Sequence, residues 1–261
     1  MHRLRFVGGG GADGGWALRW TRHGVRRIFG ERPPVVTAVA LVLALVAAAV
    51  QFMAPSVMAR LERDRGALAE GEWWRVVTPV MVQTLGWHQV FANLLTLLAV
   101  GVVAERMVGR WRWVVLFAAG TAAGQTAAYL WGEPGGGASI AICGLAGGTL
   151  AVLLALGDRA PRLSTWVILC YVVALAGWGF GGFLGAGLGS VAAVALGFEV
   201  DRLGFPWTDR LALVGALLLV AALVVVGDIH GVPLAAGALA GAAWLVWGRL
   251  STRVCPTRQG A

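Results

Sequence analysis

An all-α fold, a polytopic transmembrane helical bundle of about eight spans, is what the sequence predicts. Hydrophobic residues make up 58% of the chain and charged residues 13%, far from the balance of a soluble globular domain. Apolar stretches near the roughly 20 residues that cross a bilayer follow one another, with no polar segment long enough for a separate soluble domain. The 21 basic residues are all Arg, and they gather mainly in the gaps between those stretches, as topology determinants do.

Residues 1–33 carry Arg3, Arg5, Arg19, Arg22, Arg26, Arg27 and Arg32 beside a Gly-rich patch. This is too long and polar for the n-region of a signal peptide, so the first span is expected to stay as an anchor behind a basic cytoplasmic tail. A membrane domain over 34–250 follows, with spans expected at 34–54, 88–104, 113–131, 139–157, 163–179, 182–198, 211–227 and 231–248. Residues 163–198 are too long for one crossing, and the Gly-Trp-Gly-Phe-Gly-Gly run at 177–182 is the natural break. Residues 251–261 form a second cytoplasmic tail.

Charge tests this count. With the amino terminus inside, 17 of the 21 Arg fall on the inner side, as cytoplasmic loops require. The other four, Arg60, Arg63, Arg65 and Arg75, sit in the first outer loop among Glu62, Asp64, Glu70 and Glu72. Both termini are thus expected inside. A bias to Ala, Gly, Val and Arg without Lys points to a GC-rich, bacterial source and a cell membrane. The basic residues form no continuous surface, so the expected partner is the lipid bilayer and not nucleic acid. The three cysteines, Cys143, Cys170 and Cys255, are odd in number and lack CxxC spacing, which indicates neither a disulfide framework nor a zinc site.

The first outer loop holds Glu72-Trp73-Trp74-Arg75-Val76-Val77, which reads either as an interfacial aromatic belt or as a substrate-facing segment. Glycines four residues apart recur at 120 and 124, 144 and 148, 181, 185 and 189, and 237 and 241. Small residues at that spacing let helices approach closely in lipid.

Polar side chains at membrane depth are costly and face a bundle interior or wet cavity, which singles out Asn93, Gln125, Ser139 and His230. Ser139 follows Gly135-Gly136-Gly137-Ala138 and opens a helix. First-turn N–H groups lack internal partners, and the helix dipole favours negative charge, so an oxyanion formed beside Ser139 is stabilised there. A serine nucleophile needs a base. His230 begins the last span, and three spans separate its helix from that of Ser139, so both begin at the outer surface.

Gly137-Ala138-Ser139 with Ala141-Ile142-Cys143-Gly144-Leu145 resembles the serine motif of the rhomboid family. Trp74-Arg75 resembles the Trp-Arg of that family's first outer loop. Gly101, Glu105 and Gly109 resemble the Gly-xxx-Glu-xxx-Gly that ends its second span, and His230 with Gly237 and Gly241 its histidine helix. The resemblance covers roughly 72–241. It implies a rhomboid-like bundle and an intramembrane serine endopeptidase working through a Ser139–His230 dyad with no acid and no cofactor or metal. It also implies oxyanion stabilisation by Asn93, helped by Gln89, and transmembrane protein substrates.

The sequence departs from the family at several positions. Ile140 replaces a glycine and brings a β-branched side chain beside the nucleophile. Gln89 stands where a histidine is common, with His88 turned about 100° away. Cys143 stands where an aromatic packs on the imidazole. Pro233 suits a first helical turn but makes the helix start shallow, and two spans more than the six-helix bacterial core lie between Ser139 and His230. These departures motivate an alternative, a catalytically inactive rhomboid-like protein that binds transmembrane helices. A solute transporter would want an inverted repeat and midplane charges. Zinc hydrolysis by His88, Glu133 and His230 has no ligand-spaced motif.

Overall fold

The computed structural model describes residues 33–203 and 208–254. The tail expected over 1–33 therefore lies outside the described residues except for Pro33, as do 255–261. The first long helix, α1 (Val35–Met53), leads into a loop built from α2 (Pro55–Leu61), α3 (Arg65–Ala69) and two 3-10 turns, Trp73–Val76 and Thr78–Met81. Then come α4 (Trp87–Val108), α5 (Arg110–Trp131), α6 (Ser139–Leu156), α7 (Arg162–Leu203), α8 (Thr208–Val225) and α9 (Gly231–Val254). Among the described residues there is no strand, only an isolated bridge between Arg63 and Gly135. Helices satisfy their own backbone groups, the condition for crossing lipid.

Among the described residues five helices, α1, α4, α5, α6 and α7, are long and apolar enough to cross a membrane, and α9 carries a shorter apolar stretch, Gly231–Trp247. α7 has 42 residues, which would make a straight helix about 60 Å long, twice the ~30 Å hydrocarbon core. It is not straight. Gly181 (φ −150°, ψ 21°) and Gly182 (φ 55°, ψ −140°) leave the helical region, and the second conformation is open essentially to glycine alone.

Beyond this turn the two arms run back along each other. A Cβ on Gly185 would collide with the Gly177 carbonyl, one on Gly189 would lie 3.1 Å from the Val173 oxygen, and one on Gly197 3.1 Å from the Trp166 ring. These pairs are spaced evenly about Gly181, as in an antiparallel hairpin. The break expected at 177–182 is where the turn falls. The two arms with α1, α4, α5, α6, α8 and α9 make eight helical segments in the expected order. α9 continues to Val254, six residues beyond the expected 248 and into the segment expected as a tail.

α6 is the centre of the bundle, buried at every residue from Ile140 to Leu150 and packed by α9, α5 and α4. Gly144 faces both main neighbours. A Cβ on Gly120 of α5 would lie 2.6 Å from the Gly144 Cα, and one on Gly237 of α9 would run into the Gly144 carbonyl. One turn on, a Cβ on Gly241 would come within 2.7 Å of the Gly148 oxygen. Lipid is as apolar as leucine, so close backbone packing of this kind holds helices together where the hydrophobic effect does not.

Glu105 fastens α1 to the end of α4. Its carboxylate accepts from the Val36 N–H (3.1 Å), the Thr37 N–H (2.8 Å) and the Thr37 hydroxyl (2.8 Å), capping the first turn of α1 from another helix. Gly101 leaves room for Thr37, whose Cγ2 would lie 2.8 Å from an added Cβ.

Candidate active site

The segment before Ser139 is irregular backbone, and the first loop satisfies it group by group. Arg63 and Gly135 exchange backbone hydrogen bonds at 2.7 and 3.3 Å. The buried Arg63 guanidinium donates from Nε to Gln125 Oε1 (2.8 Å) and from Nη1 to the Glu133 carbonyl (3.0 Å). Burial lowers its pKa from the ordinary value, partly offset by Tyr129 and Glu133. Gly136 donates to the Thr84 hydroxyl at 3.1 Å, and Gly137 to the Pro79 carbonyl at 2.8 Å. Ser139 then starts α6, whose first turn no side chain caps.

The Trp74-Arg75 pair braces the same loop. Arg75 is buried and donates to Glu72 Oε2 (2.6 Å) and to the carbonyls of Ala59 (2.9 Å) and Glu62 (2.8 Å). Trp74 Nε1 donates to the Arg60 carbonyl at 3.2 Å. Neither residue lines the cavity beside Ser139. Their place is in loop architecture, as Glu105, Gly144, Gly237 and Gly241 serve helix packing.

His230 enters from the start of α9, and its Nε2 lies 3.1 Å from Ser139 Oγ. Gly147 of α6 brings the two helices into register, since a Cβ there would collide with the Leu234 carbonyl. The far side of the ring is held too. Asp228 Oδ1 lies 2.9 Å from His230 Nδ1 and accepts the His230 backbone N–H at 2.8 Å. An ionised carboxylate only accepts, so in the neutral ring Nδ1 carries the proton, which leaves the Nε2 lone pair facing the Ser139 hydroxyl. The resemblance implied no acid, and Asp228 was not singled out. Its signal in the sequence was the Asp-x-His spacing, which a two-residue Asx turn exploits.

A cavity of about 300 Å³ opens beside this pair, walled by α4, α6, both arms of α7 and the start of α9, with Gln89, Asn93 and Gly137 in its lining. Asn93 Nδ2 donates one hydrogen to Gln83 Oε1 at 2.6 Å. Gln83 is buried and is itself held by Gln51, which accepts from its N–H (2.6 Å) and donates to its carbonyl (2.9 Å). Gln89 donates to the Gly136 carbonyl (2.9 Å) and accepts from the Leu85 N–H (2.8 Å). Both amide nitrogens crowd Gly137, where an added Cβ would run into Gln89 Nε2 and lie 3.5 Å from Asn93 Nδ2.

The departures find physical accommodation. Ile140 is 1% exposed, and its branched side chain fills the notch left by Gly124 of α5, where an added Cβ would lie 2.6 Å from the Ile140 Cβ. Cys143 Sγ pairs with the Tyr171 hydroxyl at 3.3 Å. Tyr171, from the first arm of α7, lines the cavity, and its hydroxyl reaches the Ser139 carbonyl at 3.3 Å. His88 packs edge-on against Phe183 with ring centroids 4.5 Å apart.

The fold and this site define a class, multi-pass membrane proteins with a serine–histidine pair in a cavity at one end of a helical bundle. Residues 70–203, half of the chain, match the Rhomboid domain, and the chain belongs to the rhomboid family. Over 147 residues, 52% of its length, it is 33% identical to Rhomboid protease GluP of Bacillus subtilis (strain 168), and the match spans 28% of that protein. No solved structure matches the chain. The domain match includes Ser139 and Asn93 but ends before His230, whose assignment rests on geometry.

Proposed function

We propose that the protein is an intramembrane serine protease that cleaves transmembrane or membrane-adjacent segments of other proteins. The approach of His230 Nε2 to Ser139 Oγ at 3.1 Å carries this reading, since it is the reach a general base needs. His230 takes the Ser139 proton as Oγ attacks the substrate carbonyl. The oxyanion gathers at the first turn of α6, where Asn93, with one amide hydrogen left, is the principal side-chain donor and Gln89 a second. The imidazolium gives its proton to the leaving amine, and water releases the acyl-enzyme. With the amino terminus inside, the site faces the outer leaflet, and the substrate enters from lipid.

The test is cleavage of a model transmembrane substrate in proteoliposomes, with fluorophosphonate labelling of Ser139. Ser139→Ala and His230→Ala should each abolish cleavage, and the double variant should be no worse, because a nucleophile and its base act as a unit. A folded wild type that neither cleaves nor labels would leave the alternative, a rhomboid-like protein that binds helices without cutting.

A further inference from the structure

The geometry points to Asp228 as the third member of a Ser139–His230–Asp228 relay, a positioning residue whose carboxylate fixes the His230 imidazole and stabilises its protonated form. This rests on the protease reading above and adds an acid to a pair expected to work without one.

Asp228 sits on the loop between α8 and α9, its side chain 18% exposed and that of His230 13% exposed. One carboxylate oxygen takes both the His230 backbone N–H at 2.8 Å and ring Nδ1 at 2.9 Å. The other faces the first arm of α7, where an added Cβ on Gly179 would lie 3.2 Å from Oδ2. An Asx turn needs only the backbone contact. The bond to the ring is additional, and it has two chemical consequences. It keeps the proton on Nδ1, so that Nε2 is the base facing Ser139. When Nε2 then takes the serine proton, the new imidazolium has an anion against its far side, a charge-assisted bond in a partly desolvated site. The carboxylate holds charge throughout and takes no proton itself.

The surroundings are consistent with an ionised Asp228. Burial alone would raise its pKa, but the hydrogen bond from the His230 ring, the ring's charge and the His230 N–H bring it below the ordinary carboxylate value. The other titratable groups around the pair are Arg63 from the first loop and Tyr171 from α7, both in the cavity wall, with Cys143 of α6 bonded to Tyr171. Asp228 is the acidic group among them.

The experiment compares the full chain with its Asp228→Asn, Asp228→Ala and Asp228→Glu forms in proteoliposomes. Asparagine keeps an oxygen for the His230 N–H, hence the turn, but removes the charge. In Asp228→Asn, kcat should fall by about 10²- to 10⁴-fold with KM little changed. The acid limb of kcat/KM should move to lower pH, since the imidazolium loses its partner, and Asp228→Glu should recover part of kcat. An unchanged kcat and acid limb in Asp228→Asn, with only the melting temperature of Asp228→Ala lowered, would overturn the proposal and leave Asp228 a turn residue. Nitrogen-15 NMR titration of His230 in a Ser139→Ala background separates this failure from that of the protease reading. A lower His230 pKa on Asp228→Asn upholds the relay's pairing even if the wild type cleaves nothing, and an unmoved pKa overturns it even if the wild type cleaves.

Discussion

Asn93 has two amide hydrogens, and Gln83 takes one of them at 2.6 Å. That contact holds Nδ2 beside Gly137 with its second hydrogen uncommitted, which on the proposed mechanism is the one a developing oxyanion would take. Asn93→Ala should therefore slow turnover by about 10²- to 10³-fold in a cleavage assay while the protein stays folded. Gln83→Leu removes the acceptor that orients the amide and should slow turnover less. The double variant should be no slower than Asn93→Ala, since residues in one network do not add. Additive losses would mean that Gln83 acts elsewhere. Ser139, His230 and Asn93 stood out in the sequence as polar groups at membrane depth, the first two within motifs of fixed spacing. Gln83, Arg63 and Asp228 did not, because they lie on loops whose partners, Gln51, Gln125 and the far side of the imidazole, are set by tertiary closure and not by any period along the chain.

Elements in this bundle meet at glycines, and a side chain beside such a contact is worth what it fills. The sequence puts the branched side chain of Ile140 beside the nucleophile but does not tell which helix face lies opposite it. The notch at Gly124 takes up its branched side chain at the α5–α6 seam, even though Ile140 also lines the cavity. Shortening it should open a void, and Ile140→Ala should cost about 2 kcal/mol or more, read as a lower melting temperature in detergent. Cleavage below that temperature should change little. A large rise in turnover with stability unchanged would mean that Ile140 does stand in the substrate's way. The break in α7 was legible for the opposite reason. A run too long for one crossing with six residues of Gly-Trp-Gly-Phe-Gly-Gly in its middle has few other places to turn.

For the whole molecule the hairpin decides which end each later segment reaches. Were α7 a single crossing, two spans would separate α6 from α9, and Ser139 and His230 would begin at opposite faces. Their 3.1 Å approach is possible because the two arms and α8 make three crossings. The first loop, the segment before Ser139, the tip at Gly181–Gly182 and the Asp228 loop thus share one end of the bundle. The other end carries the contact of Arg162 with Asp209 at 3.2 Å and Glu105 under the start of α1. From the distribution of Arg, this second end is the one expected on the cytoplasmic side. Single cysteines in a cysteine-free background test the arrangement with a membrane-impermeant maleimide on intact cells. Gly181→Cys and Val226→Cys, both at exposed positions, should label from outside. Arg159→Cys, exposed in the turn between α6 and α7, should label only after the membrane is opened. A Gly181→Cys that resists labelling from either side would put that residue at mid-membrane. The hairpin would then be wrong, and with it the geometry that brings His230 to Ser139.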